Sequence, residues 1–248
     1  MFIYSITNFD SRVTTDVDFL LRRVSNTPDK LEKVLENIIS TSTGNDFVTF
    51  EITDIRPITV SKKYLGISAS MTAKIKNTKT PFSIDIGIGD IIVPDLKKRK
   101  IPTQLNDFKS PEVNTYSLES TIAEKTDAIL NLMEFSSRMK DYYDIYYLAD
   151  KFDFDGSALS EALSKTFENR NHTYDVEQFE QILRFAENEN MQKKWKAFCH
   201  KIGEDRIDYS SVLQTIGIFL TMPLSAAVNK SGFIGHWTSI GKKWILKD

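Results

Sequence analysis

The stretch TTDVDFLL, residues 14–21, sets Asp16 and Asp18 two positions apart in a run with the apolar composition of a β-strand. Side chains alternate faces along a strand, so both carboxylates project the same way, while Val17, Phe19 and Leu21 line the other face and are free to pack inward. Two adjacent like charges repel, and a divalent cation bridging them cancels the repulsion. Mg²⁺ prefers hard oxygen ligands and is often held by one or two carboxylates together with substrate phosphates. The alternative is a pair of solvated aspartates on an edge strand.

A third acid fits the same chemistry. In SIDIGIGD, residues 83–90, Ile84, Ile86 and Ile88 make an apolar face, and Asp85 lies on the opposite one with Ser83, Gly87 and Gly89. Small neighbours let a ligand approach, so Asp85 is a candidate to join Asp16 and Asp18 as a metal ligand across a sheet; Asp90, at the strand end, is a weaker one. Three carboxylates holding Mg²⁺ beside a triphosphate suit in-line nucleotidyl transfer. The alternative for Asp85 is solvation, with the glycines marking a bulge.

Two helical stretches add cations. In YSLESTIAEKTDAILNLME, Leu118, Ile122, Ile129, Leu132 and Met133 form one stripe at helical spacing, with Lys125 inside it, while Glu119, Ser120, Glu124, Asp127 and Asn131 fall away from its centre. An ammonium on a buried stripe needs a partner or a task; a lysine snorkelling at the core edge is the alternative. In SSRMKDYYDIYYLAD the apolar arc is Tyr142, Ile145, Leu148 and Ala149. Arg138 and Asp141 lie within or beside that arc, Asp144 at its boundary, and Lys140 and Tyr147 outside it. Lys125, Arg138 and Asp141 are therefore candidates to meet at one polar site between helices and sheet, although a structural Arg–Asp pair at i, i+3 would also account for the last two.

The elements that must hold these residues are readable in outline. Residues 1–9 suit the end of a helix, and 16–21 a strand. SNTPDKLEKVLENIIS is a helix capped by Thr27 with Pro28 in its first turn, burying Leu31, Val34, Leu35, Ile38 and Ile39. FVTFEITDI, YLGISASMTAKI and FSIDIGIGDIIV read as strands, with KNTKTP as a turn. Residues 94–111 are polar, carry three prolines and read as a connection; their basic run LKKRK, residues 96–100, suits either an RNA backbone or a solvated loop. Beyond Pro111 the pattern is helical almost to the end, and Phe233, Trp237 and Trp244 are expected in the helical core. This predicts an α+β fold: a mixed sheet with flanking helices over residues 1–110, followed by a helical C-terminal domain over 111–248 that brings Lys125 and Asp141 to the site.

The bulk numbers agree with a globular protein. The 248 residues are 41% hydrophobic and 27% charged, with formal net charge -2, which excludes a simple polyanion binder by charge alone. The single cysteine, Cys199, excludes an internal disulfide or CxxC zinc site, and the three histidines have no metal spacing. No apolar run approaches the ~20 residues of a membrane span, and MFIYSI lacks the basic start of a signal peptide, so a cytoplasmic protein with no membrane partner is expected.

In their order and spacing, SRVTTDVDFLL, IDIGIGD, YSLESTIAEKTDAI and RMKDYYDIYYLAD resemble the AbiEii/AbiGii-type nucleotidyltransferase-like toxins of abortive-infection and toxin–antitoxin systems. The resemblance covers roughly residues 10–150 and implies a nucleotidyltransferase-like core with an added helical domain. It implies that Asp16, Asp18 and Asp85 bind Mg²⁺ or Mn²⁺, that Thr14 lies near the phosphates and that Lys125 binds the triphosphate. It makes Asp141 the catalytic or orienting acid, with Arg138 its neighbour in nucleotide binding. The implied substrate is a nucleoside triphosphate, the acceptor tRNA (at its 3′ end), another RNA or a protein, and the implied partner a cognate antitoxin of a phage-defence system.

One departure stands out. Relatives carry a glycine pair upstream of D-x-D whose backbone N–H groups hold phosphate. Here Met1 stands where the residue after that pair would, and no glycine precedes Gly44. The expectation is either a start codon further upstream or a lost phosphate loop. Three functions follow: a nucleotidyltransferase toxin, a catalytically impaired relative that binds RNA or protein, and a metal-dependent nuclease using the same carboxylates.

Overall fold

The computed structural model describes residues 2–14, 16–21, 28–42, 47–58, 66–88, 91–104 and 107–246. The expected cap Thr27, the break at 44–46, and Gly89 and Asp90 lie outside them. The chain divides into two compact units, Met1–Asp90 and Ile91–Asp248. The division falls earlier than residue 110 because residues 91–116 are tied to the helical part: the Val93 carbonyl accepts from Ser117 and Ser120 hydroxyls, and Val93 N–H donates to Ser120 Oγ.

The first unit contains α1 (Phe2–Ile6), β1 (Asp16–Leu21), α2 (Pro28–Ser40), β2 (Thr49–Ile58), β3 (Gly66–Ile75) and β4 (Thr78–Ile88). Its mixed sheet has the order β1-β4-β3-β2, with β1 parallel to β4 and the other pairs antiparallel. Alternation in β3 and β4 builds its core face, and a bulge between Ile52 and Asp54 of β2 lets both Ile52 and Ile55 join it. Ile67, Ala69 and Met71 of β3 and Ile84 and Ile86 of β4 face Leu31 and Leu35 of α2, and Ser68, Ser70, Ser83 and Asp85 take the other face. Leu31 and Leu35 are one helical turn apart, and burying each contributes about 1.5–3 kcal/mol. Two expected core residues differ. Phe19 is 54% exposed and Ile38 62% exposed. The core gathers over β2–β4, so the apolar side of edge strand β1 and the far rim of α2 lie beyond it. The expected turn KNTKTP shortens to Lys76–Asn77, with Lys76 left-handed at φ 51, and Thr78–Pro81 join β4.

The second unit begins with a two-stranded ribbon, β5 (Lys97–Lys100) and β6 (Glu112–Thr115). A connection was expected there; cross-strand pairing outweighs the poor strand propensity of lysine. Six helices follow: α3 (Leu118–Leu132), α4 (Met139–Lys151), α5 (Gly156–Arg170), α6 (Val176–Leu183), α7 (Glu189–Ile202) and α8 (Tyr209–Val228). The strands β7 (Phe154–Asp155), β8 (Gly235–Thr238) and β9 (Lys243–Leu246) form a small antiparallel sheet that sequence reasoning had not anticipated. Helix α3 packs against α4, α5 and α6 at once, which is why Ser120 and Asp127, expected off its apolar stripe, are buried with Ile122 and Ile129. Tyr147, expected outside, is also buried.

Among the described residues one helix, α8, is long and apolar enough to cross a membrane, which corrects the expectation of no such run. Half of that apolar stretch is buried inside the protein, with α8 packed on α4, α5 and α6. Pro223 interrupts its hydrogen bonding. A proline offers no N–H to the carbonyl four residues earlier, which is that of Phe219, and Trp244 Nε1–H donates to that oxygen at 2.9 Å. Trp244 also stacks on the Phe219 ring, interplanar angle 2°, and Trp237 meets Phe219 edge-on. The expected aromatic core of Phe233, Trp237 and Trp244 is thus built around Phe219.

Candidate active site

The acids of the first unit are placed by strand register. Parallel pairing sets Asp18 of β1 directly opposite Asp85 of β4, and Asp16 opposite Ser83. Neighbouring strands lie about 4.7–4.9 Å apart, so the two acids are lateral neighbours on the sheet's polar face. On the far side of Asp85, Ser68 of β3 is its register partner and donates its hydroxyl to Asp85 Oδ1 at 2.6 Å. Ser68 was not singled out from sequence; its alternation in the run SAS put it on the polar face, but only the register shows that it orients Asp85. Asp18 is exposed, Asp85 half-buried, and Thr14 half-buried in the segment leading to β1. The side chain of Asp16 lies outside the described residues, and only its place in the ladder is known.

Carboxylate and hydroxyl oxygens are the donor set that Mg²⁺ or Mn²⁺ accepts. Two carboxylates on adjacent strands, one steadied by a hydroxyl, fit such an ion. Among the described side chains no group of three acids, histidines or cysteines gathers as a metal cage; Asp16 would be the third member beside Asp18 and Asp85.

The cations belong to the second unit. Lys125 projects from α3 onto the first turns of α4, where its ammonium lies 3.2 Å from Asp141 Oδ1 and 2.6 Å from Asp144 Oδ2. Arg138, the residue before α4, approaches Asp141 Oδ2 through Nε at 2.5 Å. Lys125, Arg138 and Asp141 thus meet between helices α3 and α4, with Asp144 added. Asp141 and Asp144 are i, i+3 on the face of α4 that packs against α3, at 0% and 2% side-chain exposure. Two buried carboxylates are tolerable because two cations meet them. Asp141 also gains from the N-terminal turn of α4, where the helix dipole favours negative charge. Lys125 is 17% exposed and Arg138 48% exposed. Arg138 commits Nε to Asp141 while about half of its side chain stays exposed, and a guanidinium fork suits phosphate.

A second polar cluster in this unit was not foreseen. Asp127, buried on α3, accepts from Arg170 Nη1 at 2.8 Å and from the Tyr174 hydroxyl at 2.8 Å, and lies 2.8 Å from His172 Nδ1. Burial and then the Asp127 carboxylate raise the Tyr174 hydroxyl pKa. These partners stand 43–47 residues along the chain from Asp127, so no local spacing could have revealed them.

Residues 2–216 match the family model of the nucleotidyl transferase AbiEii toxin, type IV toxin–antitoxin system, and the chain belongs to that family. No curated protein matches it. Two Helicobacter pylori crystal structures are similar, each at 12% identity. One is JHP933, covering 88% of this chain and 78% of its own at TM-score 0.43. The other carries a provisional nucleotidyltransferase assignment and covers 93% of this chain and 86% of its own at TM-score 0.45.

Proposed function

We propose that the chain is a toxin that transfers a nucleotide from a nucleoside triphosphate to an RNA acceptor such as the tRNA 3′ end. The observation that carries this reading is the register of Asp18 against Asp85, which sets two carboxylates side by side beyond the D-x-D pair itself. Asp16, Asp18 and Asp85 would hold Mg²⁺ or Mn²⁺, which would supply neutralisation of triphosphate charge. Ser68 fixes the Asp85 carboxylate so that little reorganisation is needed. Lys125 contributes positive charge for binding the triphosphate, and Arg138, with a side chain 48% exposed, adds a second cation. Asp141 orients both cations, and Thr14 contacts the phosphates. An acceptor hydroxyl oxygen bonds to the α-phosphorus, the bond to pyrophosphate breaks, and the hydroxyl proton leaves to solvent or a nearby carboxylate. The site acts in the cytoplasm, countered by a cognate antitoxin.

The test is label transfer from each α-³²P nucleoside triphosphate into total bacterial RNA and protein, comparing the chain with Asp18→Ala. Label in RNA that disappears with Asp18→Ala is the expected result. No label with any nucleotide would overturn the reading in favour of an RNA- or protein-binding relative, and RNA shortening without triphosphate would indicate a nuclease.

A further inference from the structure

The chain carries net charge -2, yet four consecutive cations, Lys97–Lys100, form strand β5. A strand divides such a run between two faces. Lys97, Arg99, Val113 and Thr115 share one face, on which Thr115 is buried and Arg99 half-buried while Lys97 and Val113 stay exposed, and Lys98 and Lys100 share the other face with Asn114 and Glu112 of β6, all four of them exposed. Lys98 and Lys100 stand about 6.7 Å apart at the usual strand rise, a spacing that an extended sugar–phosphate chain can match. Glu112 on that face meets Lys98 at 3.0 Å, with the two side chains 48% and 65% exposed. Such an exposed pair contributes little and exchanges readily for a phosphate. Phe108, exposed in the segment joining the strands, offers a ring on which a base can stack.

The ribbon is also connected through a capped helix start to the candidate nucleotide-binding lysine. Its β6 strand runs through Tyr116 into Ser117, the N-cap of α3, and Ser117 and Ser120 grip the Val93 carbonyl just before the ribbon. Lys125 lies seven residues into α3, about 10 Å along the axis at about 1.5 Å per residue. That is within a few nucleotides' reach of the ribbon end.

We propose that the outer face of the β5–β6 ribbon, through Lys98, Lys100 and Asn114, is the docking strip for the sugar–phosphate backbone of the acceptor RNA, holding the strand whose end is to be extended. This rests on the RNA-acceptor reading above and adds the place where that RNA binds. A solvated surface with few apolar side chains and alternate cations favours nucleic acid over a protein partner.

The experiment is a fluorescence-anisotropy titration of the full chain with a short fluorescein-labelled single-stranded RNA, without nucleotide or metal, over a series of salt concentrations. Lys98→Ala/Lys100→Ala is compared with the native chain and with Lys193→Ala/Lys196→Ala, which removes the same charge from exposed positions on α7. The expected result is a Kd raised roughly tenfold and a log–log salt slope reduced by about 1.4, the release of two phosphate contacts, in the ribbon variant only. Equal loss in both variants, unchanged binding in the ribbon variant, or no RNA binding by the native chain would overturn the proposal. Label transfer into RNA is read separately, so transfer that survives unchanged ribbon binding removes the docking strip and leaves the transferase standing.

Discussion

Lys125 Nζ lies 2.6 Å from Asp144 Oδ2, closer than to Asp141, the acid the motif RMKD draws attention to. The ammonium is held by two carboxylates on one face of α4, and Asp144 therefore sets where Lys125 points. Asp144→Ala removes the nearer partner of a mostly buried cation, which costs about 2–4 kcal/mol because Asp141 still compensates in part. Urea unfolding should show a lower midpoint with unchanged slope. Asp144→Asn keeps the shape and should fold better than the alanine variant while still raising KM for the nucleoside triphosphate. A KM equal to the native value in Asp144→Asn would remove Asp144 from the positioning of Lys125.

Metal removal tests the other set of residues. Asp18 is exposed at the sheet edge, so Asp18→Ala should change stability by no more than about 0.5 kcal/mol. On the proposed function, its transfer activity should fall at least about a hundredfold, since an ion held there would supply several kcal/mol of charge stabilisation. EDTA should abolish transfer by the native chain and excess Mg²⁺ or Mn²⁺ should restore it. Full activity in EDTA would refute a role for the Asp16, Asp18 and Asp85 set as metal ligands.

What the sequence made legible follows from the range of each interaction. Alternation in FSIDIG and helical spacing in LEKVLENI are local, and they located β4 and α2 and most of the faces these elements bury. The meeting of Lys125 with Asp141 was legible because both sit on stripes that packed helices must bring together. Asp144 was misjudged as a boundary residue because α4 is covered by α3, α7 and α8, a wider buried arc than one neighbour would impose. Phe19 was expected to be buried because its period-2 pattern is right; nothing local says that β1 would be an edge. The Asp127–Arg170–His172–Tyr174 cluster and the Ser68–Asp85 bond depend on tertiary register, which no single spacing encodes.

The bond from Trp244 to Phe219 substitutes for the one Pro223 cannot make. Trp244→Phe keeps the ring but leaves the Phe219 carbonyl without its donor, which should cost about 1–3 kcal/mol. Pro223→Ala returns an N–H to the helix at the right position. In the double variant the loss from Trp244→Phe should therefore be smaller than in the single one, and thermal or urea unfolding of the four proteins reads that coupling directly. Strict additivity would mean that the indole N–H contributes nothing to closing α8.

Cys199 gives a pH test of the helical unit. Burial, followed by the carboxylates of Asp205 and Glu204, pushes its thiol up to about 11 from the ordinary 9.0. The neutral thiol is thus favoured by the folded state. Its contribution to stability is fully present below about pH 9 and is lost as the pH rises through about 11. The stability difference between the native chain and Cys199→Ala should accordingly shrink across that window, by on the order of 1–3 kcal/mol. At pH 8 a thiol reagent should react slowly with the folded chain and quickly in urea, since only the opened protein presents a thiolate. Rapid modification of the folded chain at that pH would show that the contact of α7 with the Ile207 carbonyl, where the sulfur sits at 3.9 Å, opens freely in solution.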